Sequence, residues 1–454
     1  MNQAALLLSF GLAIAVSDCS AETLYNNIVL PEVWPPTDGN AASLEPMAVP
    51  YIKSPPPVIS IDVGRQLFVD DFLIESTTLK RTFHAATKYE GNPVFKPETQ
   101  QELAASSDWE KDQEAMTFLG QGGVFYDPAV KHFKMYYNAG WRGPLALATS
   151  IDMIRWQRSD LGLAGANTLL PKGLRWTGAA LTTGGADNCV WLDLNATNAA
   201  ERVKYMTCWT QVPKEQRVEG ITHSLHVSDG RGQWSDGVPT GHADDYCSFF
   251  YNPFRQKWCF SIKRGGPRGR SRWYAENSDF MNGADWSKAV YWTNTDHLDA
   301  PEPAGRYPGA GEAPQLYGLN AVAYESLMVG VHYVHRGPKN DVCDAGKFPK
   351  LIDLELGFSR DGFHWDRPDR RGFIVGSRTE GSWDRGYLQS TAGIFAVVGD
   401  QLIFPYMGAS GIAPNGNRGM YTGGAIGLAM LRRDGFASMD AEAGSTAGTL
   451  TTRP

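Results

Sequence analysis

One phrase recurs five times along the chain: a hydrophobic strand, a Ser/Asp/Gly turn, and then usually a tryptophan. The copies are ATSIDMIRWQR (Ala148–Arg158), HVSDGRGQW (His226–Trp234), AENSDFMNGADW (Ala275–Trp286), GFSRDGFHW (Gly357–Trp365) and MLRRDGFASM (Met430–Met439). Four of them carry the tryptophan, at Trp156, Trp234, Trp286 and Trp365. Repetition on this scale means that one supersecondary unit is used again and again. Asp-Gly closes tight turns, and a tryptophan beside an outer strand packs on its neighbour. The phrase therefore reads as scaffold.

A strand pair precedes each copy: Gly122–Gly140, Asn188–Trp209, Cys247–Gly265, Gly318–Gly337 and Ala392–Gly411. Each is a hydrophobic run, a polar turn and a second run rich in aromatic and β-branched residues, which predicts a hairpin. Tyr-Asp-Pro and Tyr-Asn-Pro place a turn-forming Asx-Pro at two of the bends. A third strand follows each pair, and a short fourth surrounds the tryptophan. Four-stranded antiparallel units repeated about an axis are propeller blades. The expected fold is all-β, a five-bladed β-propeller spanning residues 58–440.

The flanks read differently. Ala4–Val16 is apolar and has the length of a signal-peptide core, with Cys-Ser-Ala at 19–21 as a small-residue cleavage site. Residues 1–21 are thus expected to be a signal peptide and the protein to be exported, periplasmic or extracellular. No other stretch approaches the length of a membrane span. Residues 22–57, ending in Pro55-Pro56-Pro57, predict a poorly ordered arm or a surface strap. Residues 441–454 are expected to be a C-terminal tail.

The formal net charge is −7 and there is no long basic run, which argues against nucleic acid as a partner. Six cysteines are too few for a disulfide scaffold, and no Cys-x-x-Cys occurs. Cys189 with Cys208, and Cys247 with Cys259, flank hairpin turns where a bridge is compatible, but buried free thiols are the expectation. His332 and His335 lie three apart on a strand and so face opposite sides, which argues against joint chelation. Nothing in the sequence sets an oligomeric state.

In a propeller the N-terminal ends of the innermost strands form a funnel. The segments leading into those strands are Asp108–Gln121, Gly184–Asn188, His242–Tyr246, Pro314–Asn320 and Gly381–Ser390. Four of the five carry carboxylates: Glu110 and Asp112, Asp187, Asp244 and Asp245, and Asp384. A ring of acids repels itself unless it binds cations or does acid–base work. Glycosidic cleavage uses such a set, one carboxyl protonated and another ionised. A structural cation on the axis is compatible with the same ring, and no cofactor is required. Asp70-Asp71 is a second acidic pair, but adjacent strand side chains face apart, so the pair is not expected to share a site.

Gly64–Glu75 (GRQLFVDDFLIE), Gly91–Glu98 (GNPVFKPE) with Trp109-Glu110 downstream, the Tyr-Asp-Pro hairpin and Ser-Arg-Asp-Gly-Phe-His-Trp occur in this order. Together they resemble the five-bladed propeller glycoside hydrolases of family 32, related in fold to family 43. The resemblance implies three carboxylates on the first three blades: a base or nucleophile, an orienting aspartate and an acid. By position these are Asp112 or Glu110, Asp187 and Asp245. The Trp-x-Asn-Asp-Pro-Asn and Arg-Asp-Pro motifs of family 32 are absent. A carbohydrate substrate is then expected to stack on Trp109, Tyr246, Tyr317 and Trp383, with Asp384 and His242 also in the funnel. Arg264 and Arg270, from the basic segment Lys263–Arg272, would hold an acidic group. Two alternatives stand beside hydrolysis: a non-catalytic carbohydrate-binding propeller, and a phosphorylase like those of family 130, whose Asn-Pro-Val segment GNPVF resembles.

Overall fold

The structure is a computed structural model. It describes residues 21–103, 115–141, 143–161, 168–170, 175–176, 179–180, 188–207, 221–231, 233–444 and 447–454. The described chain is nearly all β, with antiparallel sheets and a few helices of at most seven residues. No described helix is long and apolar enough to cross a membrane.

Five strand sets follow the repeats. The first is Thr117–Asp127, His132–Ala139, Leu145–Ser150 and Gln157–Arg158. The second is Cys189–Leu192, Val203–Thr207, Ile221–Ser228 and Val238–Ala243. The third is Ser248–Asn252, Lys257–Gly266, Gly269–Asn277 and Val290–Thr293. The fourth is Gln315–Tyr324, Leu327–His335 and Ile352–Ser359, extended by single bridges from Leu354 to Ile374 and Phe358 to Asp366. The fifth is Gly386–Gln389, Gln401–Ala409, Gly424–Arg432 and, from the other end of the chain, Thr87–Lys88. Within each set, neighbouring strands run antiparallel.

The first strands of the sets touch one another in turn. Cys189 pairs in parallel with Gln121. The Cys189 thiol reaches the Phe249 carbonyl at 3.7 Å. Ser248 Oγ donates to Leu319 O at 2.9 Å. The hydroxyls of Tyr317 and Tyr387 are 3.1 Å apart. Ala392, beyond the last first strand, bridges in parallel to Gly123 of the first set.

Hydrophobic clusters fill the spaces between sets. One holds Tyr136, Leu147, Val190 and Tyr205, a second Met206, Leu225, Phe260 and Trp286, a third Phe250, Trp292, Leu319 and Trp365. A large fourth joins residues of the fourth, fifth and first sets. The tryptophans of the repeated phrase sit in these seams. Trp286 lies 5.7 Å from His223 of the preceding set, and Trp365 lies 6.2 Å from Trp292 of its own preceding set. The aspartates of four copies cap their own turns, as where Asp361 Oδ1 accepts from Phe363 N at 2.9 Å and His364 N at 2.8 Å, whereas Asp434 accepts from Arg65 and Tyr324.

The arm at residues 22–57 is a strap. Tyr25 donates to Ser326 O at 2.5 Å and Asn26 to Arg360 O at 3.0 Å, while Glu22 pairs with Arg255 at 2.9 Å. Beneath it, Asp70 is buried in a two-oxygen pairing with Arg360 at 2.8 Å. Asp71 points outward to Arg81. The last residues are also tied down: Leu450–Thr452 pairs with Ile74–Thr77. Cys189, Cys247, Cys259 and Cys343 are free and buried, so Cys247 and Cys259 form no bridge. Cys208 lies outside the described residues.

Candidate active site

In an antiparallel sheet, strands one and three begin at the end where strand two finishes. In the third set this brings Asp245 and Tyr246, before the first strand, beside Lys263 near the end of the second and Arg270 and Arg272 at the start of the third. The register confirms it: Lys263 pairs with Arg272, and Gly265 with Arg270. In the fourth set the same end carries Tyr317, His335 and Lys350, and in the fifth Tyr387 and Tyr421.

These side chains meet. Lys263 Nζ is ion-paired with Asp245. It stands 4.9 Å from the centre of the Tyr317 ring. Arg270 lies 5.6 Å from the same ring, held by Gln315 Oε1 at 2.9 Å, and Lys350 Nζ lies 5.1 Å from it. Lys350 is also 5.4 Å from the Tyr387 ring and 5.6 Å from the Tyr421 ring. Arg272, fully buried, donates to the carbonyls of Tyr246 and Tyr317. It thereby fixes the backbone under both tyrosines.

The aromatic wall continues across sets. Trp141 stacks on Tyr421 at 3.9 Å, Tyr421 meets Tyr387 at 5.0 Å, Tyr387 meets Tyr317 at 6.1 Å, and Tyr317 meets Tyr246 at 4.7 Å. Residues of the first, fifth, fourth and third sets thus share one arc.

Burial and charge set the chemistry. Asp245 is closely surrounded by protein atoms, yet its side chain is 36% exposed, so its carboxylate still reaches solvent. Burial alone raises its carboxyl, but Lys263, Lys350 and Arg270 outweigh that and hold it below the usual carboxylate range. Lys350 is buried. Desolvation, then Arg270 and Lys263, push its ammonium down to about 7 against the pull of Asp245. Burial drives His335 far below the usual imidazole value, with Arg270 and Lys350 acting in the same direction.

The remaining expected site residues divide. Glu110, Asp112, Trp109 and Asp187 lie outside the described residues. Tyr246 and Tyr317 are buried, so they form the wall beneath the cations and not an exposed stacking rim. Asp384 has partners of its own. It is buried and paired with Lys88 at 2.5 Å, with Tyr406 donating to it at 3.3 Å, and it pins the Thr87–Lys88 strand. Trp383 packs half-buried on Tyr406 at 5.3 Å. Arg264 takes the face opposite Lys263, over the Trp273 ring at 4.9 Å, and donates to the His242 carbonyl at 3.1 Å. His242 is exposed and offers its backbone, not its ring, to that contact. Asp245, implied as the acid, is held ionised and fits a base or nucleophile.

Lys350, Tyr421 and Trp141 lie outside the approaches to first strands, and Tyr387 lies within one, Gly381–Ser390, where the carboxylate and not the ring was singled out. The available signal was the Pro349-Lys350 step into a third strand, which begins at the same end. Among the described residues no group of three His, Cys, Asp or Glu side chains is arranged to hold a metal, and the described part of the centre gathers Lys263, Arg270 and Lys350 around Asp245.

No protein family matches the chain, and no curated protein does. Solved structures that resemble it include an N-acetylgalactosamine deacetylase from F. plautii in complex with blood group B trisaccharide, 12% identical, TM-score 0.47, covering 78% of this chain and 95% of that one. Another, from work on glycoside hydrolases of the GH130 family of mannoside phosphorylases that target β-1,2 mannosidic linkages in Candida mannan, is 12% identical with TM-score 0.47, covering 79% and 97%. A thermostable family-43 glycoside hydrolase is 11% identical with TM-score 0.46, covering 75% and 95%. Similarity of this degree assigns no activity, and the site is read from its own residues.

Proposed function

We propose that the chain is a closed five-bladed β-propeller, exported from the cell, whose central concavity cleaves glycosidic bonds in a poly- or oligosaccharide. The ring is supported by the circuit of contacts between successive first strands and by the pairing of Thr87–Lys88 with the last set. The single observation that carries the activity is Asp245: a partly exposed carboxylate held ionised, fixed by Lys263 and set among tyrosines from neighbouring sets.

In this reading Asp245 activates water or attacks the anomeric carbon. The proton for the leaving oxygen comes from a second carboxyl, for which Asp187 and the first-set pair Glu110 and Asp112 stand in the proposal. No cofactor enters. The cation cluster also suits phosphate, which favours a phosphorylase as the second reading.

The test is release of reducing ends from a panel of saccharides in phosphate-free buffer. Turnover that falls about 100-fold or more in Asp245→Asn, with folding retained, is expected. Turnover that appears only after phosphate is added selects phosphorolysis. Binding without any turnover leaves a non-catalytic propeller.

A further inference from the structure

Four cations crowd one end of the third and fourth sets: Lys263, Arg270, Arg272 and Lys350. Three of them stand within 6 Å of the single ring of Tyr317, which is itself 3% exposed. Among the described residues one carboxylate, Asp245, lies with them, and it is ion-paired to Lys263. Arg272 donates through Nη1 and Nη2 to backbone carbonyls, which leave its charge unanswered and its buried Nε without an acceptor among the described residues. The ammonium of Lys350 is surrounded by the faces of Tyr317, Tyr387 and Tyr421. Among the described residues the other groups around it do not balance the charge. The Cys343 thiol is pushed by burial to about 12 and is neutral. His335 is held neutral. Asp344, on the short helix Asn340–Gly346, is exposed and makes no ion pair with Lys350.

Buried charge left without a partner is costly. A tyrosine cage lowers that cost but does not cancel it. A single bound oxyanion does. Arg270 is already oriented by Gln315, through both its guanidinium and its backbone N–H, and presents a planar fork suited to two oxygens. Lys350 supplies a point charge from the neighbouring sheet.

We infer that the concavity holds an oxyanion between Lys263, Arg270 and Lys350, above the Tyr317 ring, and that its source is the carboxylate or sulfate of an acidic saccharide. Only the saccharide source rests on the function proposed above; the oxyanion site stands on the cation arrangement. Inorganic phosphate shares the chemistry and is the competing source.

Calorimetric titration of the full chain with three probes separates the cases: digalacturonate, the neutral galactobiose of the same linkage, and inorganic phosphate. Digalacturonate is expected to bind at least about tenfold more tightly than galactobiose, and to lose about tenfold or more in affinity in Lys350→Met and in Arg270→Met. The surface variant Arg155→Ala is expected to leave it unchanged. Phosphate binding that needs Lys350 while neither saccharide binds supports the oxyanion site and overturns the carbohydrate reading. Equal binding of both saccharides, indifferent to Lys350, keeps the carbohydrate reading and overturns this inference. No binding of any probe overturns both.

The unmutated chain provides an arm that does not depend on a variant folding. Digalacturonate stays ionised from pH 5.5 to 8.5, so its affinity should fall as the pH rises through about 7, where Lys350 loses its proton. A flat profile contradicts the assignment.

Discussion

At the scale of the residue, Lys350 records what burial does to a charge. In an unfolded chain a lysine keeps its proton to about pH 10.4; in this fold it does so only to about 7. Between those values the unfolded state binds more protons than the native state. Stability from this group therefore rises with pH across the window and is lowest below 7. Lys350→Met removes the penalty while keeping an apolar stem among the tyrosines. Its melting temperature should exceed that of the parent at pH 6, with the gap closing toward pH 10; equal melting at both pH values contradicts the burial argument. Asp245 moves the other way, held ionised by its cations. Its position before a first strand was legible in the sequence, but its partners were not. Lys263 could be read only as part of a basic segment, because which face of a strand meets which neighbour depends on register. Asp384 shows the same limit: its partner Lys88 comes from the opposite end of the chain.

At the scale of the element, the repeated phrase was read correctly as scaffold because its physics is local. In four copies an aspartate caps the turn it sits in, and the tryptophan follows at or just before the outer strand or bridge. What the spacing leaves open is how deeply each tryptophan is buried. Trp286 and Trp365 are 1% and 2% exposed, whereas Trp156 and Trp234 are half-buried. Trp286→Ala and Trp365→Ala should each cost about 3–5 kcal/mol in denaturant unfolding, and the same change at Trp156 or Trp234 clearly less. The acidic pair beneath the strap divides in the same way. Asp70 is buried on Arg360, so Asp70→Asn strands a buried guanidinium and should cost about 3–5 kcal/mol. Asp71 is 67% exposed, and Asp71→Asn should change stability by less than about 1 kcal/mol. Similar losses from the two would contradict the assignment of Asp70 as the pin of this segment.

At the scale of the whole molecule, the all-β class and its antiparallel hairpins were legible from hairpin grammar and turn residues. Residues 22–57 resolve into a strap because Tyr25, Asn26 and Trp34 find partners more than two hundred positions away, which local composition does not reveal. Of the acids expected before the first strands, Glu110, Asp112 and Asp187 lie outside the described residues, and Asp245 is found among cations. Those segments show half of what reaches that end of a sheet, and the third strands and their approaches add Arg270 and Lys350. The most direct test is a crystal structure of the full chain with digalacturonate bound. The account predicts the saccharide in the concavity over Asp245, with a carboxylate within hydrogen-bonding distance of Arg270 and Lys350. A saccharide seated elsewhere, such as the groove of about 670 Å³ beside the strap at Val33, Trp34 and His364, with the cation cluster untouched, would contradict it.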